Sequence, residues 1–380
     1  MFAPIPRSVS TSPLARRGNG SQRLFAVALV VVMLTAGLAR TPFGLESATA
    51  QLSLRAPSPP TANFGESGDR FVRVDARRLG ASSTGVWLFS PRAPIVAPAG
   101  ATAEPLPVVL FLHGLNALDP SVYREWIDHL VRRGHYVVYP DYHPTNPLAE
   151  PWETFLPNLL ESVRGVRAEM SEETNVRPDW SKLLVVGHSL GGVMAVAYAA
   201  VAPGTAGMPV PAAVMVVQPG GCRGCGGLTD EGGVPVPDLA GIDPTSRILV
   251  VAAEEDVVVG ERAARLIWTG LGEIPLDNRG YVLLRSDRRG DPALIADHLL
   301  AQTAGPGSTA DALDWFGLWA LFDSLTACAL VGVDCVETVA AGDVAWGLGQ
   351  WSDGVPVTPA LIGDDPAALN GSDTANLADG

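Results

Sequence analysis

Lysine is almost missing from this chain: Lys182 is the single one in 380 residues. Cations are scarce overall, with 26 Lys and Arg against 40 Asp and Glu, a formal net charge of −14. So acidic a protein repels phosphate backbones and anionic lipid surfaces, which excludes nucleic acid as a partner. Cysteine is limited to four, the first at Cys222, so a lipid-modified cysteine near the amino terminus is not expected. No phosphate-cradling glycine loop and no H-E-x-x-H pair occurs, and neither a metal nor a cofactor is expected. Charged residues make up 17% of the chain and hydrophobic residues 47%, which excludes a disordered chain and provides for a packed core.

What is present begins with an export-like leader. Arg16, Arg17 and Arg23 precede an apolar run from Leu24 to Ala39, and Ala48-Thr49-Ala50 follows as a small-x-small site. Residues 1–50 are therefore expected to be a signal peptide cleaved near Ala50, with a membrane anchor over residues 24–39 as the alternative. Cleavage would remove five arginines and one glutamate and leave a net charge of −18. A secreted, extracellular protein is the expectation. Export permits disulfides, and the spacing favours local pairs, Cys222 with Cys225 and Cys328 with Cys335. Four cysteines allow three connectivities. A redox or zinc role for Cys222-x-x-Cys225 is disfavoured, because glycines surround it and no second close pair exists.

Residues 51–68 read as a linker, with Ala56-Pro57-Ser58-Pro59-Pro60 at its centre. Strands are expected at Phe71–Val74, Val86–Phe89, Val108–Leu112, Tyr136–Tyr139, Leu183–Val186, Ala212–Val217, Ile248–Ala252 and, as the last, Tyr281–Leu284. Several are continuous apolar runs of the kind a strand buried on both faces requires. Helical segments lie between them. One starts with Asp119 as cap and Pro120 at its first position and ends before Gly134; another carries Phe155, Leu159, Leu160, Val163 and Val166. A helix with Trp315, Leu318, Trp319 and Phe322 on one face closes the fold. Alternation of this kind predicts an α/β protein, a mostly parallel central sheet with helices on both faces. One domain is expected over residues 69–360, followed by a disordered tail at 361–380.

Gly187-His188-Ser189-Leu190-Gly191 directly follows the run Leu183–Val186 and precedes strong helix formers. Strand, sharp turn and helix in that order put a serine hydroxyl out above the carboxyl ends of the strands, where ligands bind in such sheets. A serine hydroxyl needs a base to become a nucleophile. Of the six histidines, His113, His129, His135, His143 and His188 precede Ser189, leaving His298 as base by elimination, if the order is serine, acid, histidine. Glu254, Glu255 and Asp256 follow the strand Ile248–Ala252; Asp256 is the preferred acid and Glu254 its alternative. Lys182 lies at the far end of the nucleophile strand, roughly 20 Å away at 3.3 Å per residue, too far for a serine–lysine pair. The oxyanion would be met by the amides of Leu190 and of Leu115 in the turn His113-Gly114-Leu115-Asn116. His113 is expected to brace that turn and His188 to pack beneath the nucleophile; His143 is a residue at the edge of the site.

With the His113-Gly114 turn, Gly187-His188-Ser189-Leu190-Gly191-Gly192, a strand-terminal Asp256 and a late His298, the chain resembles the α/β-hydrolase superfamily over roughly residues 70–345. Within it the sequence looks most like exported lipases and esterases, including polyester hydrolases and chlorophyllase-like members. The resemblance implies an α/β-hydrolase fold, Ser189 as nucleophile, Asp256 as acid, His298 as base and oxyanion donors at Leu115 and Leu190. Two departures are visible: Leu115 stands where polyester hydrolases usually carry an aromatic residue, and His298 lies thirteen residues beyond Arg285. The expected function is cofactor-free hydrolysis of a small-molecule, lipid or polymer ester by a monomer. The alternatives are a non-catalytic binding protein on the same scaffold, or an acyltransferase or peptidase using the same three residues.

Overall fold

The computed structural model describes residues 54–60, 68–95, 104–173, 176–225, 232–305, 308–333, 335 and 344–369. All of them belong to one unit, Leu52–Gly380. The leader, the alternative anchor and the end of the tail, residues 370–380, lie outside the described residues.

Ten strands form one sheet. β1 (Phe71–Leu79) and β2 (Val86–Pro94) form an antiparallel pair at one edge, followed by β3 (Leu106–Leu112), β4 (Tyr136–Pro140), β5 (Pro178–His188), β6 (Ala213–Val217), β7 (Arg247–Ala253) and β8 (Arg279–Leu284). A two-stranded hairpin of β9 (Ala304–Gly305) and β10 (Ser308–Thr309) stands apart, and β11 (Val344–Trp346) and β12 (Ala360–Gly363) complete the other edge. The order is β1-β2-β4-β3-β5-β6-β7-β8-β12-β11. From β4 to β8 every pairing is parallel. This is the α/β architecture with a mostly parallel sheet that the alternation of elements demands.

Side chains alternate across each strand, so the central strands feed two cores. In β3, Val108, Leu110 and Leu112 face one cluster, while Val109 and Phe111 face the other. The first cluster is closed by α2 (Phe155–Met170), α3 (Leu190–Val201) and α4 (Arg262–Gly270); the second by α1 (Arg124–Arg132) and α5 (Ala320–Val331). Asp119 caps the approach to α1, its side chain accepting from the Ser121 amide at 2.9 Å with Pro120 next in the chain. The first turn there is 3-10, and the α-helix starts at Arg124. α2 starts at Phe155 and accommodates Pro157 in its first turn, where a residue has no amide bond to lose.

Three sequence expectations are corrected. Tyr281–Leu284 is not the last strand: Leu361 and Ile362 pair with Leu283 and Val282 in β12, which in turn pairs with β11. The tail therefore cannot begin at 361, because Ala360–Gly363 is buried in the sheet and a short helix, Pro366–Leu369, follows it. The expected linker is also partly tied down. Leu54 accepts from the Asp291 amide, and Arg55 exchanges hydrogen bonds with Ser352. Both short-range cysteine pairs stand as disulfides, with Cα separations of 5.3 Å for Cys222–Cys225 and 4.7 Å for Cys328–Cys335.

Candidate active site

β5 ends at His188 and α3 begins at Leu190, so a single residue, Ser189, makes the turn. Its backbone sits at φ 57°, ψ −120°, a region that side chains rarely adopt. The strained turn is over-determined by its hydrogen bonds: the Ser189 amide donates to Val217 at 2.9 Å, and its carbonyl accepts from Gly192 at 2.9 Å and Gly220 at 3.2 Å. The flanking glycines are obligatory. A Cβ on Gly187 would lie 2.0 Å from the Gly191 carbonyl oxygen, and one on Gly191 would lie 2.0 Å from that of Leu112.

His298 comes back to this turn from a long way off. After β8 the chain makes an excursion closed on itself by the Asp287–Leu294 bridge. Ser286 Oγ accepts from the Ala296 amide and the Ala296 carbonyl accepts from Glu255, which returns the chain to the carboxyl end of the sheet. The thirteen residues beyond Arg285 are thus a folded detour. It delivers His298 with Nε2 3.0 Å from Ser189 Oγ and Nδ1 2.7 Å from Asp256 Oδ2. A carboxylate only accepts, so Nδ1 carries the proton and Nε2 is free to accept from the serine hydroxyl.

Of the three acidic residues after β7, the structure brings Asp256 alone to the imidazole. Glu254 instead accepts from the Ser286 amide at 3.0 Å, and Glu255 pairs with Arg288, which holds its carboxyl down at about 2. Asp256 is buried. Burial by itself would raise its carboxyl, but the hydrogen bond to His298 and the Val259 and Val258 amides outweigh it and hold it below the ordinary range. Those two amides bond Oδ1 at 3.0 Å each.

Leu115 and Leu190 line one cleft together with Ser189 and His298. Among the described residues neither amide donates to a protein acceptor, which leaves both available to a negatively charged oxygen. His113 stacks between Tyr139 and Tyr142, with Nδ1 2.7 Å from the Gly114 carbonyl and Nε2 3.1 Å from that of Asp141, bracing contacts for the turn. His143 is fully buried, packed against Phe155 with Nδ1 2.8 Å from the Pro144 carbonyl, and does not line the cleft. His188 lies beneath the turn, its ring 5.0 Å from that of His298. Burial and the neighbouring His298 lower it to about 3, so it is neutral at ordinary pH.

The cleft has a volume of about 640 Å³, within the range that holds a small organic molecule. Its walls are largely apolar: Trp152 from the loop before α2, Leu190, Val258 and Val259 beyond Asp256, and Ala263 of α4. Cys225 also contributes, so one disulfide is part of the wall. Trp152, Val258, Val259 and Ala263 of this wall are not singled out by the sequence analysis, and neither is Gln218. Gln218 follows β6 at the edge of the sheet where Ser189 stands, and its side-chain amide donates to Asp256 Oδ2 at 3.0 Å. A polar residue directly after a buried strand, level with the nucleophile, was the signal available for it.

No curated protein matches the chain. Residues 72–222 match the family model described as Chlorophyllase. The match takes in both turns that flank the cleft and the serine, and ends before Asp256 and His298. The sheet order is that of an α/β-hydrolase fold, and over residues 72–222 the chain is similar to the chlorophyllase family.

Proposed function

We propose that the protein is a serine hydrolase of carboxylic esters, working through an acyl-serine intermediate without metal or cofactor. The observation that carries this reading is the unbroken line from Asp256 Oδ2 through His298 to Ser189 Oγ, at 2.7 and 3.0 Å. His298 Nε2 takes the serine proton as Oγ attacks the ester carbonyl. The carbonyl oxygen becomes an oxyanion, met by the Leu115 and Leu190 amides. Asp256 keeps the imidazole in the working tautomer and stabilises the imidazolium. That imidazolium returns the proton to the departing alcohol, and His298 then activates water to release the acid and free Ser189.

The family match supports ester hydrolysis as the reaction class. The apolar stretch formed by Trp152, Leu190, Val258, Val259 and Ala263 suits the acyl chain of a lipid or polymer ester, with Arg262 as the cation in the lining. Retention of Ser189 at φ 57° argues against a scaffold that has lost its chemistry, since such strain persists where function demands it. Disulfides suit the export proposed from residues 1–50, and a monomer suffices because every group of the site comes from one chain. The test is turnover of p-nitrophenyl esters of increasing chain length by the full chain and by Ser189→Ala. The wild type should be active, and the variant slower by about a thousandfold or more at unchanged stability. Equal turnover by the two would refute the assignment, and faster transfer to added alcohols than to water would reassign it to an acyltransferase.

A further inference from the structure

His298 is held by neither helix nor strand. It sits in a turn at the end of a long excursion, yet its two ring nitrogens must stay within a fraction of an ångström of their partners for the chemistry to run. Two side chains that take no part in proton transfer grip the backbone of that turn at successive carbonyls. Gln218 Nε2 donates to the Asp297 carbonyl at 2.7 Å, and His188 Nε2 donates to the His298 carbonyl at 2.9 Å. Building on the catalytic reading above, we infer that Gln218 and His188 are positioning residues that together clamp the base-bearing turn against the nucleophile and the acid.

The hydrogen positions on the His188 side follow from valence alone. A carbonyl only accepts, so the His188 proton is on Nε2; the ring is neutral, so Nδ1 is a bare acceptor. Tyr123 Oη, 2.9 Å from Nδ1, therefore donates to it and keeps its own lone pairs for the Gly114 amide at 3.0 Å. The chain of bonds runs from the turn that carries Leu115, through Tyr123 and His188, to the carbonyl of the base. It ties the oxyanion side of the site to the proton-transfer side, and all of its side chains are buried.

The Gln218 side carries a visible cost. Gln218 is not glycine, yet it adopts φ 44°, and its Oε1 is buried with no hydrogen-bond partner among the described residues. Its amide nitrogen is fully used, with one bond to Asp297 and one to Asp256 Oδ2. Oδ2 is also the atom that accepts from His298 Nδ1. One amide group thus holds both the acid and the turn that carries the base.

The test compares His188→Asn, His188→Gln and Gln218→Met in the full chain, with kcat and KM on p-nitrophenyl butyrate, and thermal unfolding alongside. Glutamine at 188 can place its amide where Nε2 stood; asparagine reaches only the Nδ1 position. His188→Asn and Gln218→Met should lose about 10- to 100-fold in kcat with KM within about threefold, and His188→Gln should recover most of the loss. If Gln218→Met does not fold, Gln218→Asn, one methylene short of both acceptors, takes its place. Folded variants with wild-type kcat, or equal losses in His188→Gln and His188→Asn, would overturn the clamp. A wild type that turns over no ester would instead overturn the catalytic reading beneath it.

Discussion

Gly191 lies so close to Leu112 that a methyl group on its Cα would sit 2.0 Å from the Leu112 carbonyl oxygen. The obstacle is backbone of a central strand, which cannot swing aside as a flexible side chain can. Gly191→Ala should therefore displace the start of α3 and the serine before it. The expected outcome is a loss of about 100-fold or more in kcat/KM and destabilisation of about 3 kcal/mol, read by ester turnover and chemical unfolding. Gly165→Ala is the control: a Cβ there meets nothing within 4 Å, and activity should be unchanged.

The three neighbouring acids make a sharp comparison. Asp256 holds the imidazole, whereas Glu254 holds the Ser286 amide. Asp256→Asn should cost on the order of a thousandfold in kcat by favouring the wrong tautomer, and Glu254→Gln should stay within about fivefold. Steady-state kinetics on one short ester settles the comparison; the reverse ranking would move the acid to Glu254.

Asp314 is buried with Oδ1 unpartnered, and its carboxyl is pushed well above the usual range by burial and then by Asp311. The folded chain therefore binds a proton here more tightly than the unfolded chain does. The resulting loss of stability grows as pH rises above the ordinary carboxyl value. Asp314→Asn abolishes that linkage while keeping an acceptor for the Asp311 amide. Its thermal midpoint should exceed that of the wild type at pH 8 and match it at pH 4.

Four buried histidines act in the opposite sense. Burial lowers His113 and His188 to about 3, His135 to about 4 and His143 below its ordinary value. Below pH 6.5 the unfolded chain gains protons at these sites and the folded chain does not, so stability present above pH 6.5 is lost as pH falls toward 3. Urea unfolding between pH 7 and pH 4 should show a steep decline. His135→Gln, away from the cleft, should make that decline shallower; an unchanged slope would argue against a buried neutral His135.

How much of this was legible in the sequence depends on how local the cause is. Val108–Leu112 and Leu183–Val186 read correctly as strands because burial on both faces leaves no polar position in the run. The Ser189 turn was legible because glycine is the sole residue that fits beside it. β12 was not, since four residues ahead of Asp364-Asp365 look like the start of a solvated tail, and only Leu283 and Val282 across the sheet make them a strand. His298 could be named by counting histidines. The detour that delivers it depends on the Asp287–Leu294 bridge, which no short-range pattern announces. Gln218 lay in no motif, and its role follows from where Asp256 and Asp297 end up in space.

The most direct test is covalent labelling of the full-length protein with a fluorophosphonate, the adduct being located by peptide mass mapping. An activated serine reacts with such a probe and an ordinary one does not. A single adduct on Ser189, formed at least about 100-fold more slowly in His298→Ala, is the predicted result. A folded protein that leaves Ser189 unlabelled, or a His298→Ala variant labelled as fast as the wild type, would contradict the account.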